Sequence, residues 1–190
     1  LQIINGDSLQ EKIEASSVRK VETSTPRGMI YDSAGKPLVQ NHANPAITYT
    51  RGLNVTADEL LTIAQKLVQL IEIETDDKLT ERDLKDTWLA DKNNLETARK
   101  RLPKKEVENE YQALVDSVTP EEIAFDEEQL KIATIFKKLN SAQELTTVFV
   151  KNKNVTNEEF AIVSEHRKEI AGISTGTDWS RAVVAADESI

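Results

Sequence analysis

One serine–lysine pair matches the pattern of a catalytic nucleophile. Ser17 and Lys20 form Ser-x-x-Lys, and residues three apart on a helix share a face, so a deprotonated lysine could accept the serine hydroxyl proton. Active sites of this type also use Ser-x-Asn and Lys-Thr-Gly or Lys-Ser-Gly. Neither motif occurs in the chain. A serine enzyme therefore stays an alternative hypothesis that lacks its supporting motifs.

Metal and cofactor chemistry has few candidate residues. His42 and His166 are far apart in sequence, and neither belongs to a cluster with metal-ligand spacing. The acidic runs Asp76-Asp77 and Asp126-Glu127-Glu128 lack the glycine and alternating oxygen ligands of a calcium loop, so solvated faces explain them better. The chain has no cysteine, which excludes disulfides, cysteine nucleophiles and Cys-ligated zinc. We predict no metal and no cofactor.

Composition indicates an acidic folded protein. The chain has 190 residues, with 24 Lys and Arg against 33 Asp and Glu, a net charge of −9 and a mean hydropathy of −0.47. No apolar run approaches the ~18 residues that a membrane-spanning helix needs. No basic face for phosphates is evident, so nucleic acid is not an expected partner. The whole acidic excess follows residue 55, because the first 55 residues carry six basic and five acidic groups.

The distribution of glycine separates a helical block from two flanking regions. Residues 56–171 contain no glycine, which disfavours tight hairpins and favours helices. Apolar residues recur at helical spacing in this block, and we expect five or six short helices with one strand at residues 146–150. The helix starts are marked by capping boxes, which begin at Thr56, Thr119, Ser141 and Thr156, with a weaker one at Thr80.

The flanking regions have strand and turn signals. Residues 28–32 and 36–41 predict a hairpin, in which Asp32 bonds its own turn and Gly35 adopts a left-handed conformation. Further strands are predicted at residues 47–50 and 179–185. The expected fold is α+β: a small antiparallel β base formed by the two chain ends (1–55 and 172–190), with a large inserted helical block (56–171) and an elongated shape.

Trp179 and Arg181 form a Trp-x-Arg pair. Two residues apart on a strand, they lie on the same face. A core tryptophan beside a surface arginine is the simpler interpretation, and a functional surface is the alternative.

Both ends of the chain resemble the class B penicillin-binding proteins. Residues 25–41 are similar to the opening motif of the N-terminal pedestal, or dimerisation domain, R-G-x-I-x-D-R-N-G-x-x-L-A-x-N. Ser33, Ala34 and Val39 depart from it. Residues 165–173 and the Trp-x-Arg pair resemble the stretch that leads into the transpeptidase domain, although Ala171 and Ala182-Val183 replace the usual prolines and tyrosine. The matching residues are Arg27, Gly28, Ile30, Asp32, Gly35, Leu38, Asn41, Trp179 and Arg181.

The resemblance implies a non-catalytic, extracytoplasmic pedestal. The serine D,D-transpeptidase domain of cell-wall synthesis would follow residue 190 and hold all catalytic motifs. A membrane anchor would precede the chain. The implied partners are the protein's own transpeptidase domain, other cell-wall synthesis proteins such as a SEDS-type glycan polymerase, and a second copy in a homodimer. Arg27 is expected to pair with Asp32, and Arg181 to contact the neighbouring domain. A generic acidic helical adaptor is the alternative, beside the Ser17/Lys20 enzyme.

Overall fold

The computed structural model describes residues 25–102 and 109–183. Within these ranges the chain forms four strands, six α-helices and one 3₁₀ turn, which confirms the predicted mixture of helix and strand. In chain order the elements are β1 (Ile30–Tyr31), β2 (Pro37–Thr50), α1 (Ala57–Val68), α2 (Glu81–Ala90), α3 (Lys92–Arg101), α4 (Glu110–Ser117), the 3₁₀ turn (Pro120–Ile123), α5 (Glu127–Asn140), β3 (Thr147–Lys151), α6 (Asn157–His166) and β4 (Ile173–Val183).

The sheet is antiparallel and centred on β2. Strand β4 pairs with one side of β2 along residues 39–49. On the other side, β1 pairs at the start of β2 and β3 at its end. The two distant regions of the chain therefore meet in one sheet, which confirms the predicted fold class. Strand β3, which comes from within residues 56–171, joins this same sheet.

Strand β2 is continuous where the sequence predicts two strands. The segments at 36–41 and 47–50 are joined through Pro45. Pairing with β1 ends at Val39 and pairing with β3 begins at Ile47, so between them this flank of β2 has no strand beside it among the described residues. Proline is tolerated there because its missing N–H removes no ladder hydrogen bond.

Three predicted capping boxes start helices as expected. Thr56, Thr80 and Thr156 each accept a hydrogen bond from the N–H three residues on, and the acidic side chain there accepts from the threonine N–H. Together these bonds satisfy two donors that a helix start leaves open. The box at Thr119 starts only the four-residue 3₁₀ turn.

The helix predicted at Ser141 is wrong. Ser141 ends α5 instead, and its N–H donates to Lys137 O at 3.1 Å while its hydroxyl donates to Lys138 O at 2.7 Å. Ser141 is bonded to the last turn of α5, so it is not available to cap a new helix. The β-branched residues that follow it favour a strand. The start of α5 is Asp126, whose carboxylate accepts from Gln129 N at 2.8 Å. Asp126, which the sequence analysis assigns to a solvated face, therefore caps a helix.

Two apolar cores hold the helices. The main core lies between the sheet and helices α1, α5 and α6, and fully buried side chains from several elements meet in it. A second, smaller core joins α2, α3 and α4. Burying one such side chain contributes about 1.5–3 kcal/mol. Examples from the main core are Ile47, Tyr49, Leu60, Ile135 and Val163, and from the second Leu89, Ala98 and Leu114.

Gly172 joins β4 to the main core. Its φ of +80° is a left-handed conformation, and an added Cβ would lie 2.4 Å from Thr50 O and 2.8 Å from the Tyr49 ring. Its carbonyl accepts from Thr50 N at 2.8 Å. Only glycine fits this position, for both reasons.

The helices are short. None of those in the described ranges combines the length and the hydrophobicity that crossing a bilayer requires.

Candidate functional site

The β2–β4 pair extends beyond the packed body of the protein. Ala46 and Ile47 are fully buried, whereas His42 and Ala43, a few residues earlier on β2, are exposed. We call the protruding part, residues 25–43 and 178–183, the ribbon end. All nine residues of the predicted interdomain motif lie in it.

The hairpin of the ribbon end is closed by Asp32. Its Oδ1 accepts from the N–H groups of Ala34 and Lys36, both at 2.8 Å, and Gly35 has a φ of +79°. Both features match the sequence prediction for this turn. Because the carboxylate is engaged with the turn, the structure does not form the expected Arg27–Asp32 ion pair.

Two side chains hold the Arg27-Gly28 segment on the sheet. The Asn41 amide donates to Arg27 O at 2.5 Å, and the Arg181 guanidinium donates to Gly28 O at 2.7 Å. Asn41 and Arg181 are direct partners across β2 and β4. The carbonyls of Arg27 and Gly28 are thus held by side chains from both long strands. The hydrogen bond from the charged Arg181 guanidinium is stronger than the one from the neutral Asn41 amide.

Trp179 is half-buried and belongs to neither core. The interpretation as a core tryptophan is therefore wrong, because β4 has left the body before it reaches this residue. Trp179 and Arg181 do share one face, as predicted. With Arg27, Asn41 and Asp178 they line an open recess of about 480 Å³.

The hairpin also exposes large apolar side chains. Met29 is 43% exposed, Ile30 48%, Tyr31 55% and Leu38 44%. Ile30 and Tyr31 are consecutive residues of β1, so they lie on opposite faces of the hairpin, and both faces carry exposed apolar side chains.

The two histidines of the sequence have identifiable neighbours in the structure. No group of three His, Cys, Asp or Glu side chains in the described residues is placed to hold a metal ion. His166 ends α6 with Nδ1 2.9 Å from Ile162 O, and His42 pairs with Ser180 across the sheet. Ser17 and Lys20 lie outside the described residues, as do residues 184 and 185 of the strand predicted at 179–185.

Comparison with known proteins assigns the family. Residues 22–188 match the family described as the penicillin-binding protein dimerisation domain. This chain belongs to that family. It is 33% identical to penicillin-binding protein 2A of Bacillus subtilis, over 95% of the chain and 26% of that relative. It is 31% identical to penicillin-binding protein 2B of Streptococcus pneumoniae, over 97% of the chain and 28% of that relative.

The solved structures agree. Penicillin-binding protein 2B of S. pneumoniae strain R6 superposes with a TM-score of 0.71 at 32% identity, over 86% of this chain and 26% of that one. Strain 5204 gives a TM-score of 0.70. The resemblance to the penicillin-binding protein pedestal that the two end motifs indicate is confirmed. The dimerisation domain spans about a quarter of the length of these relatives.

A buried ion pair in the body escaped sequence reasoning. Lys151 Nζ lies 2.7 and 2.9 Å from the two Glu159 carboxylate oxygens, which also accept from Glu72 N at 2.8 Å and Thr156 N at 2.9 Å. Burial opposes ionisation of Glu159, but these donors outweigh it, and the pKa of this carboxyl is lowered. The capping box predicts the Thr156 bond only, since Lys151 and Glu72 belong to other elements.

Proposed function

We propose that this domain is the non-catalytic pedestal of a class B penicillin-binding protein. It holds a D,D-transpeptidase domain on the outer face of the plasma membrane, with the anchor and the catalytic domain in other parts of a longer protein. The ribbon end packs against the catalytic domain. The body projects from it as a semi-rigid unit that docks other proteins of cell-wall synthesis, such as a SEDS-type glycan polymerase, or a second copy of itself.

The observation that carries the proposal is the construction of the ribbon end. Asn41 and Arg181, from two strands, fix the Arg27-Gly28 carbonyls, although no core lies there to require these residues. An exposed segment that is nevertheless held in place by hydrogen bonds is expected of a preformed contact surface, because pre-organisation lowers the entropy cost of docking. The family membership and the exposed apolar hairpin support the same role.

Labelling with a fluorescent penicillin tests the absence of catalysis in this chain. We expect no covalent label on the 190-residue chain and a label on the longer protein that carries the transpeptidase domain. A labelled 190-residue chain would contradict the proposal and favour the Ser17/Lys20 enzyme. In that case Ser17→Ala should abolish the label.

A further inference from the structure

An apolar groove opens on the body at the other end of β2 from the ribbon end. It lies between α1 and the turn at residues 169–172, with a volume of about 300 Å³. Its walls include Tyr49, Ile63 and Ile170, whose side chains are almost completely buried in the body. The space has room for one large apolar side chain.

Backbone geometry fixes the floor of this groove. Gly172 lines it and contacts Thr50 and Tyr49 so closely that no side chain could be added. Gly52 lines it as well, and a Cβ there would lie 3.2 Å from Val55. The groove is therefore preformed, as most ligand-binding sites in proteins are.

Carboxylates dominate the charge around the opening. Glu59 and Glu169 line the groove with a single cation, Lys66. Hydrogen bonds from the Thr56 N–H and hydroxyl lower the pKa of Glu59, so it stays ionised at neutral pH. Residues 56–171 as a whole carry 25 acidic and 17 basic side chains, so the body that bears the groove is acidic. A ligand that brings positive charge beside an apolar group matches this rim.

An exposed leucine extends the apolar surface. Leu53 is 57% exposed and follows Gly52 directly. The next residue is held in a left-handed conformation, with Asn54 at φ 55° and its N–H bonded to Glu144 Oε1 at 3.0 Å. A fixed loop thus presents Leu53 beside the groove and places another carboxylate nearby.

We propose that this groove docks a segment of another protein that inserts one large apolar side chain flanked by Lys or Arg residues. The acidic rim disfavours an anionic membrane surface as the occupant. A second copy of this acidic chain is disfavoured for the same reason. This proposal gives the body a specific docking site, so it rests on the docking part of the proposed function. It uses no residue of the ribbon end, so its failure would leave the proposed contact with the catalytic domain untouched.

Three short peptides test the proposal with the ¹⁵N-labelled 190-residue chain. One alternates Leu and Lys, the second Leu and Glu, and the third Gly and Lys. We expect only the Leu–Lys peptide to bind, with amide shifts at Gly52, Ile63 and Gly172. Equal binding of the Gly–Lys peptide, or binding of the Leu–Glu peptide, would overturn the proposal, as would shifts confined to other surfaces.

Matched variants locate the site. Thr62→Trp fills the opening, and Glu169→Lys reverses a charge at its rim. Each variant should bind the Leu–Lys peptide about tenfold more weakly, the equivalent of about 1.4 kcal/mol. The controls are Gln65→Trp on the same helix and Glu74→Lys beyond it, because neither residue lines the groove. Each control should change the affinity for the peptide by less than about twofold, well below the tenfold change. Equal effects from both pairs would refute the groove as the site.

The competing occupants have their own measurements. Sedimentation of the chain alone tests the second copy, and flotation with phosphatidylglycerol vesicles tests a membrane. We expect neither association to depend on the groove. A dimer or a vesicle-bound form that Thr62→Trp abolishes would overturn the proposal.

Discussion

The two halves of β2 belong to regions that are built differently. Its inner half, at Ile47 and Tyr49, is buried and paired on both sides. Its outer half has β4 as its continuous partner. The neighbouring segment is held by individual hydrogen bonds, which Asn41 and Arg181 donate and Asp32 accepts. Packing explains the residue types of the inner half. The outer half is held by individual hydrogen bonds without a core, which agrees with the interdomain contact that we propose for it.

The largest expected effect is at Gly172, in the body. Gly172→Ala forces a Cβ against Thr50 O at 2.4 Å, and we expect a loss of about 3 kcal/mol or more in the free energy of unfolding. Gly35→Ala is the matched control, since Gly35 has nearly the same φ and open space around it. It should cost only about 1–2 kcal/mol. Urea denaturation measures both, and equal losses would contradict this account of the core.

The second largest effect on stability is expected at the buried ion pair between Lys151 and Glu159. Glu159→Gln leaves Lys151 buried beside a neutral side chain, and we expect a loss of about 3 kcal/mol. Glu59→Gln is the control, because Glu59 occupies the same capping-box position on the exposed surface. Its loss should be much smaller, because the exposed carboxylate leaves no buried charge behind. Similar losses for the two variants would show that the cap, rather than the ion pair, matters.

Low pH should reduce the free energy of unfolding by protonating Glu159. The pKa of Glu159 in the folded protein lies below its ordinary value of 4.5, so its stabilisation is complete above that pH and is lost as the pH falls below it. Between pH 5 and pH 3 the wild type should therefore lose more stability than Glu159→Gln. Parallel pH profiles of the two proteins would rule out this contribution.

At the ribbon end, effects on unfolding should be small and local. Asp32→Ala removes the acceptor for two turn N–H groups. We expect a local cost of about 1 kcal/mol, visible as faster hydrogen exchange at Ala34 and Lys36 with little change in global unfolding. A large drop in global stability would mean that the hairpin belongs to the body.

The sequence predicts local features well and distant ones poorly. Capping boxes at Thr56, Thr80 and Thr156 were sufficient because every atom of the motif lies within four residues. The box at Ser141 failed because the preceding helix runs into it. No local pattern could show that Lys151 and Glu72 meet at Glu159, since three elements must first pack together.

The ribbon end was predicted for a different reason. Its nine motif residues were found by resemblance to a family, and the pairing of β2 with β4 was foreseen. Asp32 bonds its own turn, as the sequence predicts. The expected ion pair with Arg27 does not form, and the sequence does not predict that Arg181 binds a backbone carbonyl. The semi-exposed position of Trp179 depends on where β4 leaves the body, which the tertiary structure alone decides.

The most direct test of the central claim compares Arg181→Ala in two contexts. In the 190-residue chain it removes one exposed hydrogen bond, and the expected loss in the free energy of unfolding is about 1 kcal/mol or less. In the longer protein with its transpeptidase domain we expect a clear fall in thermal stability and in the rate of penicillin acylation. Arg167→Ala, at an exposed position on the body, should change neither. Unchanged stability and acylation in the longer Arg181→Ala protein would contradict the claim that the ribbon end is an interdomain surface.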